Sequence, residues 1–413
     1  MVSSNRQTIL GIVIALLLLL LLEGFSRILK TVNDDVVALR PQWLQYSADL
    51  GWEKRPNYSG LMPNESRTLE PTRYERHFDA EGFLTIDSSQ VADPTQRKIL
   101  TVGDSNTFGW GVPTEMTYSE VLDDLLPDYS VINLGVTGYS SFQGGKVLER
   151  SVERFSPALV VVSFNFNDRR LVLSAADVDS DDKFARDTAS RRLASLKEIV
   201  YLNRLLEFGL AKVGVGRVAS HASGIADLRT VAPRVSPEQY KANLARMARL
   251  CRERGIPLVF VVLRDNPVQT AYLDVGVDLF RRGLLDAAEQ NLKVVARSQG
   301  WFTALGKKYL VQLYQGRGES AAADVAAQES VVNLMNGDKP IHLDWEYNDI
   351  MRAVAAEFGV TLVEAGEAMR QDPSFYVDYC HFDERGHRLL AGMLKPVIDT
   401  LLVPESQHST PLR

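Results

Sequence analysis

From Lys98 onward the chain alternates short, solidly apolar runs with longer stretches whose apolar positions recur every three or four residues. The runs Lys98–Val102, Ser130–Asn133, Leu159–Phe164, Pro257–Leu263 and Thr361–Glu364 lack polar alternation, the pattern of strands covered on both faces. Between them the spacing predicts helices around Tyr118–Leu126, Phe142–Phe155, Trp345–Phe358 and Arg385–Leu402. A further helix starts at Ser236-Pro237, a hydroxyl cap followed by a proline whose missing N–H costs nothing in the first turn. Tyr240, Leu244, Met247 and Cys251 line one of its faces, and Gly255 closes it. Strands alternating with helices imply βαβ units, hence an α/β fold built on a five-stranded parallel sheet, because parallel strands need crossover connections.

Other segments break this rhythm. Ile9–Leu22 is an unbroken apolar run behind Arg6. About 14 residues would suit a secretory h-region, but Glu23-Gly24-Phe25-Ser26-Arg27 follows, with no small-residue cleavage pattern. Continued from Gln7 to Ser26, a helix of about 20 residues at about 1.5 Å each spans the roughly 30 Å hydrocarbon core, with Glu23 close to one interface. The expectation is an uncleaved transmembrane anchor over residues 1–30. Arg6 and the α-amine on one flank nearly balance Arg27 and Lys30 on the other; a cytoplasmic N-terminus with the body of the chain periplasmic or extracytoplasmic is favoured.

Residues 31–96 form a polar extension with turn signals such as Arg55-Pro56-Asn57 and Asp79-Ala80-Glu81-Gly82, and read as short strands and loops. The main domain, 97–403, is interrupted twice and leaves 404–413 as a tail. The first insertion, 171–234, holds Asp177, Asp179, Asp181 and Asp182, a solvated loop or a cation site. It also carries the stripe Leu196, Ile199, Leu202 and Leu206, a buried helix face or a lid. The second insertion, 265–344, repeats at a period of about 35 residues: Leu279, Gly283 and Ala288 recur as Tyr314, Gly318 and Ala323. Its stretch Gly276–Ala296 resembles one tetratricopeptide unit, so the insertion is a stacked helical appendage or a surface that docks a protein partner.

Composition narrows the chemistry. The 413-residue chain has a formal net charge of -6 and no basic run, which argues against nucleic acid as a partner. Cys251 and Cys380 are the only cysteines and show neither a disulfide framework nor metal-ligand spacing. His77, His221, His342 and His408 are isolated, so no metal is implied, and no cofactor is implied either.

Reactive groups concentrate at strand ends. The first strand runs into Gly103-Asp104-Ser105-Asn106-Thr107-Phe108-Gly109, which puts Ser105 just past a strand's carboxyl end, where open α/β sheets bind ligands. A serine hydroxyl needs a neighbouring base that a third group orients. Asp378-Tyr379-Cys380-His381 offers both: across one turn the carboxylate can take the Nδ1 hydrogen, leaving Nε2 for the Ser105 proton. The second strand ends in Asn133-Leu134-Gly135-Val136-Thr137-Gly138, where glycine lets an N–H approach an oxyanion. The third ends in Asn165-Phe166-Asn167-Asp168, with an amide donor at the same rim. Cys380 faces away in any turn that aligns Asp378 with His381. His387 has no partner at suitable spacing and reads as a polar helix-terminal residue.

In this order the blocks resemble the SGNH or GDSL hydrolases, esterases, lipases and acyltransferases on a flavodoxin-like α/β/α sandwich. The resemblance implies Ser105 as nucleophile, Gly138 and Asn167 as oxyanion donors beside the Ser105 N–H, and Asp378 with His381 as the final block. Gly386-His387 fits the helix start that follows that histidine. The resemblance covers 98–168, 236–263 and 345–402 and leaves both insertions uncovered. Where the family usually has glycine two residues before the asparagine donor, this chain has Asn165, which narrows the pocket or shifts the loop. Leu50-Gly51-Trp52 and Gly82-Phe83 are loosely similar to the N-terminal extension of membrane-anchored members. The expectation is a serine esterase acting on an envelope acyl or acetyl ester. An O-acyltransferase on envelope polysaccharide and a catalytically silent anchored scaffold are the alternatives.

Overall fold

The described residues of the polar extension form five short strands. β1 (Leu44–Ser47) and β2 (Gly51–Lys54) pair antiparallel, and β3 (Ser59–Pro63), β4 (Arg73–Phe78) and β5 (Leu84–Thr85) form a second small antiparallel sheet. The computed structural model of the protein describes residues 11, 13–14, 17–24, 43–47, 49–63, 73–86, 95–173, 225–227, 231–297, 303–330 and 344–402. The acidic loop and the apolar stripe of the first insertion, and the tail, lie outside the described residues. Of the N-terminal apolar run, Leu17–Leu22 are helical and exposed. Among the described residues no helix is long and apolar enough to cross a membrane.

Each of the five apolar runs is a strand of one parallel sheet. β6 (Arg97–Gly103), β7 (Tyr129–Asn133) and β8 (Leu159–Ser163) come first. At the edges of the first insertion β9 (Leu171–Leu173) pairs with β11 (Val231–Pro233), while β10 (Ile225–Asp227) pairs with β13 (Gln328–Ser330). β12 (Leu258–Val261) and β14 (Thr361–Val363) complete the central sheet, whose order is β14-β12-β8-β6-β7. The strand order reverses between β6 and β8, and the crevice outside such a reversal is where doubly wound sheets bind ligands. The register sets Gly103 beside Ser163 and Thr101 beside Asn133, so three successive strands release their loops at one rim.

The strands are nearly all buried, as two covered faces require. On one face Leu100, Val102, Val160, Val162 and Phe260 pack under helices α3 (Ser141–Phe155), α5 (Pro237–Glu253) and α10 (Asp344–Phe358). On the other, Ile99, Val161, Val259 and Val261 meet α2 (Tyr118–Leu125), α11 (Ala365–Met369) and α12 (Glu384–Leu402). Each fully buried residue of this size stabilises the fold by about 1.5–3 kcal/mol. α5 begins as its sequence requires: Ser236 Oγ accepts from the Gln239 N–H, Gln239 Oε1 accepts from the Ser236 N–H, and Pro237 occupies the first turn.

The described residues of the second insertion hold four helices, α6 (Pro267–Arg281), α7 (Leu285–Arg297), α8 (Thr303–Arg317) and α9 (Ser320–Ala327), followed by β13. Its sequence period is a structural one. Gly283 and Gly318 both turn the chain at φ 76°, the Leu284 N–H bonds Leu279 O as the Glu319 N–H bonds Tyr314 O, each at 2.9 Å, and Ala288 and Ala323 are both buried. The apolar core of this insertion continues into Phe166, Cys380 and Tyr379, so it packs against the rim instead of hanging from it.

Candidate active site

β6 passes directly into the one-turn helix α1 (Ser105–Phe108), with Asp104 at its cap. Asp104 Oδ1 accepts from the Asn106 N–H at 2.9 Å, which fixes the turn that lifts Ser105 out of the sheet. Burial raises the Asp104 carboxyl above its ordinary value, outweighing that hydrogen bond and the nearby His381 and Arg169.

Ser105 Oγ lies 2.7 Å from His381 Nε2, and His381 Nδ1 lies 2.7 Å from Asp378 Oδ2. A carboxylate only accepts, so Nδ1 carries the hydrogen and Nε2 is the free acceptor for the Ser105 O–H. The three-residue spacing works through the backbone: Asp378 Oδ1 accepts from the Cys380 and His381 N–H groups at 2.9 and 2.8 Å, leaving Oδ2 for the ring. Burial raises the Asp378 carboxyl, but the His381 charge and these hydrogen bonds together hold it below its ordinary value. Asp378, Cys380 and His381 bring ligand-type atoms within 4.8 Å of one another, yet both ring nitrogens face hydrogen-bond partners, the arrangement of a proton relay. Cys380 is buried, facing the insertion core, and burial followed by the charges of Asp378, Asp265 and Asp104 pushes its thiol well up.

The loop after β7 lies against α1. Asn133 Nδ2 donates to Thr107 O at 2.7 Å, and a Cβ on Gly135 would come within 2.3 Å of the Phe108 nitrogen, so only glycine lets the two backbones approach. The Val136 N–H bonds Gly103 O at 3.2 Å, which carries the loop to the Ser105 end of β6. Gly138 follows at φ +79°. From β8, the one-turn helix α4 (Phe166–Arg169) presents Asn167, whose Nδ2 donates to Asp104 Oδ2 at 3.3 Å beside Ser105. Thus Ser105, His381 and Asp378 form one hydrogen-bonded line, Asn167 reaches its base, and Gly138 sits on the adjoining loop.

Asn165, the departure from the family pattern, has φ -174°, an extended backbone open to any residue. Its side chain lines a small space beside Asp104, and its amide donates to Asn348 Oδ1 at 2.5 Å, tying the rim to α10.

Several supports carried no local signal in the sequence. Arg169, at the end of α4, forms a buried ion pair with Asp265 at the root of the helical insertion. Its neighbour Asn266 donates from Nδ2 to Asp378 O and from its backbone to Tyr379 O, both at 2.9 Å. The segments carrying Asn167 and His381 are therefore joined through the insertion's first residues. Removing one partner of such a buried pair typically costs about 3–5 kcal/mol. Arg76, buried in the extension, donates to Gly109 O at 2.8 Å and Val112 O at 3.0 Å. It thereby clamps the loop that holds Trp110, whose ring lies 6.3 Å from that of His381.

His387 corrects its sequence reading. It is 0 % exposed, accepts from the Tyr118 N–H at 3.3 Å and stacks on the Tyr118 ring, so it is a core residue joining α12 to α2. Burial, followed by the charges of Arg76 and His381, lowers its imidazole to about 3.

The profile of the GDSL-like lipase/acylhydrolase family matches residues 101–317, more than half of the 413-residue chain. That span contains Ser105, Gly138 and Asn167; Asp378 and His381 lie beyond it and reach the site through the fold. No curated protein sequence matches. Among solved structures, TesA is 16% identical, with 74% of this chain and 99% of that chain covered at a TM-score of 0.38. A lipase/acylhydrolase from Enterococcus faecalis is 13% identical, covering 74% of this chain and 96% of its own at 0.38. The psychrotrophic esterase EstA from Pseudoalteromonas sp. is 10% identical, covering 75% of this chain and 100% of its own at 0.35.

Proposed function

The chain belongs to the GDSL-like lipase/acylhydrolase family of ester-hydrolysing enzymes, and on that premise we propose that it is a serine esterase working through Ser105, His381 and Asp378. What carries this reading is the unbroken line from Ser105 Oγ to His381 Nε2 and from Nδ1 to Asp378 Oδ2, 2.7 Å at each step. Ser105 Oγ attacks the ester carbonyl carbon while its proton passes to His381 Nε2. The carbonyl oxygen, now anionic, takes hydrogen bonds from the Ser105 and Gly138 N–H groups and the Asn167 amide. The tetrahedral adduct collapses, the alcohol leaves with the proton from His381, and the acyl group stays on Ser105. Water then repeats the sequence: His381 takes its proton, the acyl–oxygen bond breaks, and the acid and free Ser105 are released. Asp378 holds the imidazole in the required tautomer throughout.

The substrate is a short acyl ester, such as an acetyl ester of the cell envelope. The rings of Trp110 and Tyr379 lie 6.3 and 6.0 Å from that of His381, centroid to centroid, and flank it on the approach to Ser105, which supports a small acyl group. The chain is held in the membrane by its uncleaved N-terminal helix, with the catalytic body outside the cytoplasm. The exposed helical leucines 17–22 support the anchor. Protease added to outer-membrane-permeabilised cells should digest the body, and full protection would reverse this topology.

The same residues serve an O-acyltransferase if a sugar hydroxyl instead of water takes the acyl group. That reading is favoured by the tetratricopeptide-like insertion, a docking surface for an acyl-donor partner whose core runs into Phe166 and Tyr379 beside the site. The test incubates the full-length protein with acetyl, medium-chain and lysophospholipid esters, with and without a sugar acceptor. Release of free acetate is expected with and without acceptor; acetylated sugar as the dominant product would replace hydrolysis by transfer.

A further inference from the structure

We propose that Trp52, supplied by the N-terminal extension, is a positioning residue that sets the direction of the Gly138 N–H. The proposal rests on the reading of Gly138 as an oxyanion donor. Residues 136–139 form a tight turn closed by the Tyr139 N–H on Val136 O at 3.2 Å, with Gly138 third and at φ +79°. A positive φ at the third position marks a type II turn, which differs from type I by a flip of its central peptide. That central peptide contains both Thr137 C=O and Gly138 N–H. Because a trans peptide is planar, its C=O and N–H point in opposite directions, and whatever holds the carbonyl also aims the hydrogen.

Trp52 holds that carbonyl. Its Nε1–H donates to Thr137 O at 3.0 Å, and an indole has no alternative role as acceptor. The ring is itself fixed. Tyr139 Oη donates to Trp52 O at 2.6 Å, the two rings meet edge-on at 5.8 Å, and the Arg234 guanidinium lies 5.5 Å over the indole. Arg234 also donates to Gly138 O at 2.6 Å, which secures the next peptide in the same way. Two residues on, Lys54 donates to Asn133 O at 3.1 Å, anchoring β2 to the start of the loop. Gly138 thus faces the reaction with its donor direction already set, and a preset donor needs no reorganisation as charge develops. Hydrogen bonding at the carbonyl further polarises the N–H of the same peptide. Trp52 lies outside the span that the family profile matches, so this chain's extension completes the site.

The test compares full-length wild type with Trp52→Phe, which keeps an aromatic ring and removes the donor. kcat for acetyl-ester hydrolysis should fall roughly tenfold to hundredfold, somewhat less than for outright loss of an oxyanion donor. KM should stay within about twofold, and the rate of phosphonylation by a phosphonate ester should fall in parallel with kcat. Should Trp52→Phe fold poorly, a benzothienylalanine at position 52 retains the bicycle and removes only the N–H, with the same expectation. Wild-type kcat in either folded variant overturns the proposal, as does an equal loss expressed in KM alone. Ser105→Ala and Asn167→Ala, measured alongside, separate the two levels: if both are impaired while the Trp52 variants are not, only the role of Trp52 fails. If Ser105→Ala and Asn167→Ala also turn over normally, the triad and oxyanion reading beneath it fails.

Discussion

At the amino end of the central sheet a cleft of about 480 Å³ opens between Arg97, Ser156, Pro157, Arg254, Pro257 and Leu402, while at the carboxyl end a cavity of about 20 Å³ lies beside Asp104, Asn106 and Arg169. The residues lining the larger space include no histidine and no carboxylate. The crowded end carries Ser105, His381, Asp378 and Asn167. Size and chemistry part company for a physical reason. Turns such as Ser156-Pro157-Ala158 and Arg254-Gly255-Ile256 enter the sheet without having to meet one another, and leave space. A proton relay needs groups at hydrogen-bond distance, each oriented by another, and those supports fill the space: Asn266 on the Asp378 turn, Arg169 on Asp265, Trp52 on the Gly138 loop.

The largest expected effect is at the relay. His381→Ala should abolish measurable ester turnover, and Asp378→Asn should lower kcat by about 10⁴-fold while the protein stays folded, because the amide favours the wrong imidazole tautomer. Near-normal turnover in either, with folding checked by circular dichroism, would dissolve the distinction between the two ends. Asn167→Ala should cost about 10²–10³ in kcat, the range for one oxyanion donor, with a smaller change in KM.

A second comparison lies within the carboxyl-end segment, between His381 at the rim and His387 in the core. The imidazole of His387 is lowered from 6.5 to about 3 by burial. Between those values the unfolded chain binds a proton that the folded one does not, so stability is full above about pH 6.5 and falls as pH drops towards 3. His387→Gln should flatten the dependence of Tm on pH across that window; an unchanged slope would mean another group is responsible. The smallest effect is expected at the large cleft, where Arg254→Ala should leave kcat and KM within about twofold, as for surface changes remote from chemistry. A loss comparable to Asn167→Ala would move the functional site to that end.

The sequence made the sheet legible because its strands are buried on both faces and its helices are amphipathic, and both patterns are local. Ser105 and the Asp378–His381 pair were legible for the same reason: one is a strand-end turn and the other a three-residue spacing closed by its own backbone. What joins them was not. Trp52 reaches Thr137 across 85 residues and Arg169 reaches Asp265 across 96, and no periodicity encodes such contacts. The core place of His387 carries no sequence signal, because one polar residue on a helix start looks alike whether the helix faces solvent or, as here, Tyr118 and Phe382. The helical repeat was visible as recurring Gly283 and Gly318, but its packing against Phe166 and Cys380 was not.

The most direct measurement treats the full-length protein with an alkyl phosphonate ester and locates the adduct by peptide mass spectrometry, beside acetyl-ester turnover. One adduct on Ser105 is expected, formed in step with loss of turnover, slowed in His381→Ala and absent in a folded, inactive Ser105→Ala. Turnover at the wild-type rate in folded Ser105→Ala, or inactivation with the adduct on another residue, would contradict Ser105 as the nucleophile.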